Sequence, residues 1–163
     1  MNTVPNIAKV FDIVIRDQLK LIIKPHIKTT QHGFISSRNI ETNLLEQTTY
    51  IYEAFDSHSQ LDMFYSDVSK AFDHVDTSKQ VRKLAKYPLS NRTLFWFKSY
   101  LTNRWQYVKV GQSKSRKLRV ESGVGQGSVN GPLLFIVYFD DSDPLMDEII
   151  ALNFADDKNS VKL

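Results

Sequence analysis

Two adjacent carboxylates stand at the end of an apolar run near the C-terminal end of the sequence. The stretch is LNFADDKNS, residues 152–160, and the pair is Asp156 and Asp157. Two carboxylates about 4 Å apart repel by roughly 4 kcal/mol at an effective dielectric constant near 20, and a divalent cation between them reverses that sign. A solvated turn is the simpler interpretation, because Asp-Asp-Lys-Asn suits a turn. A metal site requires a third carboxylate from elsewhere in the chain.

The best candidate for that third carboxylate is Asp67. It ends the aromatic-rich stretch LDMFYSDV (61–68), which predicts a buried strand. A carboxylate at the end of a buried apolar strand is costly unless it has a partner. Lys70 offers a purely structural partner as the alternative to a metal. Asp73 and Asp76 are expected to act as caps at the start of the next helix.

A glycine-rich segment, SGVGQGSVNGP (122–132), is the third feature with chemical potential. Glycine allows the backbone to approach a substrate closely, and Gln126 and Ser128 place hydrogen-bonding side chains beside it. A flexible loop before a helix is the alternative. The segment is not a Walker phosphate loop, because no Gly-Lys-Ser/Thr follows.

The distribution of charge is more informative than the net charge of +3. Residues 79–119 contain 12 Lys or Arg and no acid, whereas residues 120–163 contain 8 acids and 2 bases. A basic middle beside an acidic end suggests a polyanion held next to a cation site, and a solvated lysine-rich face is the alternative. The absence of cysteine excludes disulfides, cysteine-ligated zinc and a thiol nucleophile. The longest apolar run, Leu133–Phe139, is too short to span a bilayer, and no secretory signal is evident.

The elements that must position these residues mix helices and hairpins, which predicts an α+β fold. Apolar spacing predicts a helix over residues 4–24 that Pro25 ends, and a second helix capped by Asn39 or Thr42. Further expected elements are two helices starting near Asp76 and Ser90, a hairpin flanking GQSKSR, and a strand–turn–strand over the last segment, IIALNFADDKNSVKL. The apolar run after Pro132 fits either a buried strand or a helix.

Together, these segments resemble the reverse transcriptases of non-LTR (LINE-like) retrotransposons over almost the whole chain. QHGFISSRNIETNLL resembles the fingers segment of that family, and FYSDVSKAFDHVD its first catalytic palm motif. WFKSYLTNRWQYVKVG resembles the connecting segment, and SGVGQGSVNGPLLFIVYFDD the glycine-rich motif that meets template and nucleotide. FADD resembles the polymerase signature.

The resemblance implies a polymerase palm, with a ferredoxin-like antiparallel sheet and helices on one face, over residues 61–163. Residues 1–60 would be part of a helical fingers subdomain. It further implies an incomplete copy, with the thumb, any endonuclease domain and the rest of the retrotransposon polyprotein absent. The implied function is RNA-directed DNA polymerase, a two-metal nucleotidyl transfer to a primer 3′-hydroxyl. The alternative is a catalytically inactive nucleic-acid-binding remnant, and a nuclease that uses the same aspartates is less favoured.

The resemblance also assigns individual roles. Asp67, Asp156 and Asp157 would be catalytic and would bind two Mg²⁺ ions, with Mn²⁺ as a possible substitute. Phe72 would pack under the nucleotide sugar and disfavour a 2′-hydroxyl; the full substrate-binding set is Phe72, Gln126, Gly127 and Arg38. The implied partners are an RNA template with a DNA primer and deoxynucleoside triphosphates, in an intracellular setting and without a membrane. The basic stretch 79–119 would contact the phosphates of the template–primer.

The sequence departs from the family pattern at four positions. Gly125 stands where the family usually has proline, and Asn130 stands where it usually has an apolar residue. Asp140 replaces a usual asparagine, and Lys158 replaces a usual threonine. Asn130 puts a polar amide where the family buries an apolar side chain.

Overall fold

The computed structural model describes residues 5–125, 127–141 and 149–162, and it contains both helices and strands, as the α+β prediction requires. The helices are α1 (Asn6–Ile23), α2 (Ile40–Asp56), α3 (Thr77–Leu84), α4 (Asn91–Leu101) and α5 (Gly131–Phe139). The strands are β1 (Asp62–Ser66), β2 (Arg104–Gln106), β3 (Lys109–Val110), β4 (Ser113–Lys114), β5 (Leu118–Val120), β6 (Ile149–Phe154) and β7 (Asp157–Lys162). Within these ranges no helix is both long enough and apolar enough to cross a bilayer.

The predicted helix starts are confirmed by their caps. Asn39 accepts a hydrogen bond from the Thr42 backbone amide at 2.9 Å, and the Thr42 hydroxyl accepts one from the Asn39 amide at 3.0 Å. This reciprocal capping box satisfies two amides that an α-helix leaves without partners. The Asp76 carboxylate caps α3 by accepting from the Lys79 amide, and the Ser90 hydroxyl caps α4 by accepting from the Thr93 amide.

The main sheet has the strand order β1–β7–β6 within the described ranges, and both pairings are antiparallel. Strand β6 is well buried, with Leu152 fully inaccessible. Strand β1 lies at the opposite edge, and its Phe64 and Tyr65 are 68% and 60% exposed. The prediction that β1 is buried is therefore wrong. Aromatic residues favour strands because they fit a pleated surface, and that preference does not require the same chain to cover them.

The apolar run that periodicity could not assign is helix α5, and Pro132 lies in its first turn. Leu134 and Phe135 on this helix pack with Phe97 and Leu84 in one buried core. The predicted hairpin is also confirmed, because β2 pairs with β5 and β3 pairs with β4 in a two-stranded ribbon over residues 104–120. The core thus anchors α5, which begins where the glycine-rich segment ends.

Candidate active site

The pairing of β1 with β7 brings the separated aspartates together. Ser66 lies opposite Lys158 in the antiparallel register. Asp67 follows Ser66, and Asp157 precedes Lys158. Because the strands are antiparallel, Asp67 and Asp157 therefore lie next to each other at the same end of the strand pair. Partial loss of solvent raises the pKa of the Asp157 carboxyl, and the negative charges of Asp156 and then Asp67 raise that pKa further. All three carboxylates therefore share one electrostatic environment.

Asp156 lies in a two-residue turn between β6 and β7. Phe154 pairs with Asp157, which leaves Ala155 and Asp156 as the central residues. Ala155 has a φ of 58°, and a positive φ at the first central residue is the pattern of a type II′ hairpin turn. Glycine is the usual residue at this position, and a positive φ is sparsely populated for alanine, so the backbone at Ala155 is strained.

The carboxylates meet at the protein surface. Asp67 and Asp157 are exposed and Asp156 is half-buried. The expectation that Asp67 ends a buried strand, and needs a partner for that reason, is therefore wrong, because solvent reaches it. Across the described residues no ion pair joins Asp67 to Lys70, so the purely structural alternative lacks support.

The donor set at this site fits hard divalent cations. Carboxylate oxygens suit Mg²⁺, which usually takes one or two carboxylates from the protein and completes its shell with waters and substrate phosphates. Among the described residues no group of three or more His, Cys, Asp or Glu side chains could hold a metal ion. Metal binding by Asp67, Asp156 and Asp157 therefore stays a prediction.

Phe72 is fixed between two other aromatic rings. Its ring stacks on Phe135 of α5 with centroids 4.1 Å apart and planes 6° apart. Phe34 approaches it edge-on at 6.2 Å. The ring is half-buried, so one part packs against the core while another remains accessible. Because Phe135 supports one face of the Phe72 ring, the accessible part of the ring would make a rigid contact with a small ligand.

The glycine-rich segment is docked against the chain that carries Phe72. The Val124 amide donates to the Phe72 carbonyl at 2.9 Å, and the Gly123 amide donates to the Val75 carbonyl at 2.7 Å. A Cβ atom at Gly123 would lie 2.9 Å from the Phe72 carbonyl oxygen, and the φ of Gly123 is 82°. Only glycine tolerates both this close approach and this positive φ. Gly127 also has a positive φ, 84°, and Gln126 lies outside the described residues.

Arg38 makes contacts that stabilise its own loop. Its Nη1 donates to the Gln31 carbonyl at 2.7 Å and to the Lys28 carbonyl at 3.3 Å. Together with Lys24 and Ser36 it also lines a shallow surface pocket. A role toward template or triphosphate stays a prediction for this residue.

Sequence analysis missed Gln31, which the structure places beneath the acidic turn. Its Oε1 accepts hydrogen bonds from the Gly33 amide at 2.8 Å and from the Ala155 amide at 3.0 Å. The residue is only 3% exposed. No local pattern predicts this contact, because 124 residues separate its two ends and most residues of the loop are polar.

Comparison with known proteins identifies relatives for nearly the whole chain. Residues 2–160 match the family model described as "Reverse transcriptase (RNA-dependent DNA polymerase)". The chain is 28% identical to "Probable RNA-directed DNA polymerase from transposon X-element" of Drosophila melanogaster, over 96% of this chain and 18% of that protein. It is 25% identical to "RNA-directed DNA polymerase from mobile element jockey" of the same organism, over 94% of this chain and 18% of that protein.

A third relative is a "Retrovirus-related Pol polyprotein from type-1 retrotransposable element R2" of Popillia japonica, 27% identical over 78% of this chain and 18% of that protein. The chain thus spans less than a fifth of the length of these curated relatives. Among solved structures it is similar to telomerase from Candida tropicalis, described as a complex with a fragment of telomeric RNA. The TM-score is 0.61 at 11% identity, over 95% of this chain and 28% of that one, which indicates a shared fold.

Proposed function

Because the chain belongs to the reverse transcriptase (RNA-dependent DNA polymerase) family, we propose that it forms the catalytic centre of an RNA-directed DNA polymerase of the non-LTR retrotransposon type. The observation that carries this proposal is the β1–β7 register, which brings Asp67 to the Asp156–Asp157 turn. The retrotransposon polymerases among its relatives support the same reaction class. The reaction is nucleotidyl transfer to a primer 3′-hydroxyl.

Asp67, Asp156 and Asp157 would hold two divalent cations, Mg²⁺ or Mn²⁺. When bound, such ions lower the pKa of an attacking hydroxyl and stabilise negative charge on a leaving pyrophosphate. The chain itself provides the positions of the ligands: Asp67 from the end of β1 and Asp156 and Asp157 from the turn before β7. Catalysis then depends on placement and charge, without a covalent intermediate on the protein.

Phe72 and the glycine-rich segment would form the nucleotide pocket. The Phe72 ring cannot retreat, because Phe135 lies flat against its other face. A ribose 2′-hydroxyl placed above it would meet this fixed ring, which favours deoxynucleotides on steric grounds. Gly127, with its left-handed backbone, allows the main chain to approach a bound nucleotide or template base. Gln126 is proposed for the same pocket from the resemblance alone.

We assign residues 61–163 to the palm and residues 1–60 to part of the fingers. The antiparallel sheet β1–β7–β6 positions the proposed catalytic aspartates, and helix α5 supports the Phe72 ring through Phe135. The loop between α1 and α2 reaches the sheet where the Gln31 side chain bonds to the Ala155 amide. The finer proposal is that this sheet belongs to a ferredoxin-like palm.

The RNA template and DNA primer would contact the ribbon over residues 104–120. This ribbon contains six Lys or Arg and no acid, and its Trp105 and Tyr107 are 62% and 47% exposed. Lys114 Nζ lies 5.6 Å from the centre of the Tyr107 ring. Basic side chains neutralise phosphates, and exposed aromatic rings stack with unpaired bases.

A single-nucleotide incorporation assay tests the proposed reaction. The chain, in excess over an RNA template annealed to a DNA primer, is supplied with one deoxynucleoside triphosphate and Mg²⁺, so processive synthesis is not needed. We expect Asp67→Asn and Asp156→Asn each to slow incorporation by roughly 10³-fold, since metal-assisted charge stabilisation contributes several kcal/mol. Asp56→Asn, an exposed change at the end of α2, is the matched control.

Two outcomes would contradict the proposal. If Asp156→Asn incorporated nucleotide as fast as Asp56→Asn, the turn would have no catalytic role. If the unmodified chain incorporated nothing, yet bound the template–primer in a salt-dependent way that survived Asp67→Asn and Asp156→Asn, the non-catalytic binding remnant would be correct.

A further inference from the structure

The backbone of the acidic turn is attached to the loop between α1 and α2 through the Gln31 amide. The Gln31 Oε1 accepts from the Ala155 amide at 3.0 Å and from the Gly33 amide at 2.8 Å. Ala155 is the turn residue with a φ of 58°, and it immediately precedes Asp156. A buried acceptor thus fixes the strained residue beside a proposed metal ligand.

The backbone around Gln31 reinforces this attachment. The His32 amide donates to the Asn153 carbonyl at 2.8 Å, and the Asn153 amide donates to the Thr30 carbonyl at 2.9 Å. Gln31 and Asn153 form an isolated parallel bridge beside β6. The loop is therefore hydrogen-bonded to the sheet just where β6 enters the turn.

Close packing leaves the turn little room to move. A Cβ atom at Gly33 would lie 2.3 Å from the Ala155 backbone nitrogen, so the two backbones are in direct contact. The next residue, Phe34, meets the Phe72 ring edge-on. The segment of residues 30–34 therefore contacts both the acidic turn and the proposed nucleotide pocket.

We propose that Gln31 is a positioning residue for the polymerase reaction. Its side chain holds Ala155 at its positive φ and so keeps Asp156 directed toward Asp67 and Asp157. This inference rests on the proposed function and adds a residue that never touches substrate. An alanine at positive φ relaxes toward the ordinary regions when its amide loses its acceptor. The Asp156 carboxylate would move with it, and an error of about 1 Å in a catalytic group can cost about 10²-fold in rate.

Gln31→Met tests the role directly, because methionine has a similar length and lacks the acceptor oxygen. Gln80→Met is the matched control: Gln80 is also fully buried, and its Nε2 donates to the Leu134 carbonyl at 3.0 Å, away from the turn. Gln31→Glu retains an acceptor oxygen and serves as the rescue variant. All measurements are made at a temperature where each variant is folded by circular dichroism.

The first readout is hydrogen exchange of the Ala155 amide by NMR, which does not depend on activity. We expect exchange at Ala155 to accelerate at least 10-fold in Gln31→Met and to stay near the unmodified rate in Gln80→Met and Gln31→Glu. Unchanged Ala155 exchange in Gln31→Met would show that the side chain does not hold the turn, and would overturn the proposal.

The second readout separates positioning from simple structural support. We expect Gln31→Met to lower the rate constant of single-nucleotide incorporation 10- to 100-fold with little change in the KM for template, and to weaken Mn²⁺ binding, measured by electron paramagnetic resonance, several-fold. If the unmodified chain incorporates no nucleotide, the proposed function is contradicted. If Gln31→Met binds Mn²⁺ as tightly as the unmodified chain, only the positioning role is contradicted.

Discussion

Replacing Asn130 with leucine should stabilise the protein. Asn130 is fully buried before α5, and neither its Oδ1 nor its Nδ2 has a hydrogen-bonding partner. Tyr100 lies nearby: burial raises the pKa of its hydroxyl, the Asp12 charge raises that pKa further, and the Ser128 and Asn130 side chains act to lower it. The Tyr100 hydroxyl donates its hydrogen bond to the Asp12 carboxylate at 3.2 Å, and neither polar atom of the Asn130 amide meets the hydrogen-bond geometry. Leucine has nearly the same shape and no polar atoms.

The size of the effect follows from these two unpaired atoms. A buried polar group left without a partner costs about 1–3 kcal/mol, and replacing it with an apolar group of the same shape removes that cost. Since some of the benefit is lost through imperfect packing, we expect Asn130→Leu to raise the free energy of unfolding by about 1 kcal/mol, the lower end of that range. For a chain of this length that corresponds to an increase in Tm of roughly 2–4 °C per kcal/mol.

Urea denaturation monitored by circular dichroism measures this change, with thermal unfolding as a second measurement. Asn130→Asp is the control of opposite sign, because it keeps the shape and adds a charge that the pocket cannot pair. A lower free energy of unfolding in Asn130→Leu than in the unmodified chain would refute the reasoning, and would mean that the amide makes a stabilising contact.

Three further predictions concern other parts of the fold. Asp76→Ala removes the cap of α3, where the carboxylate accepts from the Lys79 amide at 2.7 Å, and should lower the free energy of unfolding by about 1 kcal/mol in urea titrations; an unchanged midpoint would contradict it. Burial, followed by the charges of Asp140 and Asp141, raises the pKa of Tyr87 to about 12 from 10.0. The stability that depends on a neutral Tyr87 is therefore complete below pH 10 and is lost as the pH rises toward 12, so Tyr87→Phe should lose less stability over this window than the unmodified chain. Gly127→Ala forces a Cβ atom onto a φ of 84° and should cost about 1 kcal/mol, measurable by thermal unfolding; equal stability would show that the loop changes conformation freely.

Local patterns were sufficient for most elements. The helix starts at Asn39, Asp76 and Ser90 could be predicted because a cap acts over three residues. The hairpins could be predicted because a turn and its flanking strands are adjacent in sequence. The apolar run in α5 could not be assigned, since a helix buried on all sides has no polar face to reveal its period.

Burial and long-range contacts were less predictable. Sequence placed β1 in the core, yet Phe64 and Tyr65 are exposed on an edge strand. The hydrogen bonds from the Arg38 guanidinium to two carbonyls of its own loop had no signal in the sequence, and its role toward template or triphosphate stays a prediction. Gln31 was missed altogether, because a glutamine in a polar loop has no pattern that predicts burial beneath a distant turn.

The sequence by itself determined the donor chemistry: three aspartates, a glycine-rich segment and an aromatic residue, with spacings that resemble one polymerase family. Only the tertiary structure decided that Asp67 meets the turn through the β1–β7 register, and that Gln31 holds Ala155. The physical reason is that side-chain type and local propensity are properties of short segments, whereas strand pairing and the burial of a polar group depend on contacts between residues about a hundred positions apart.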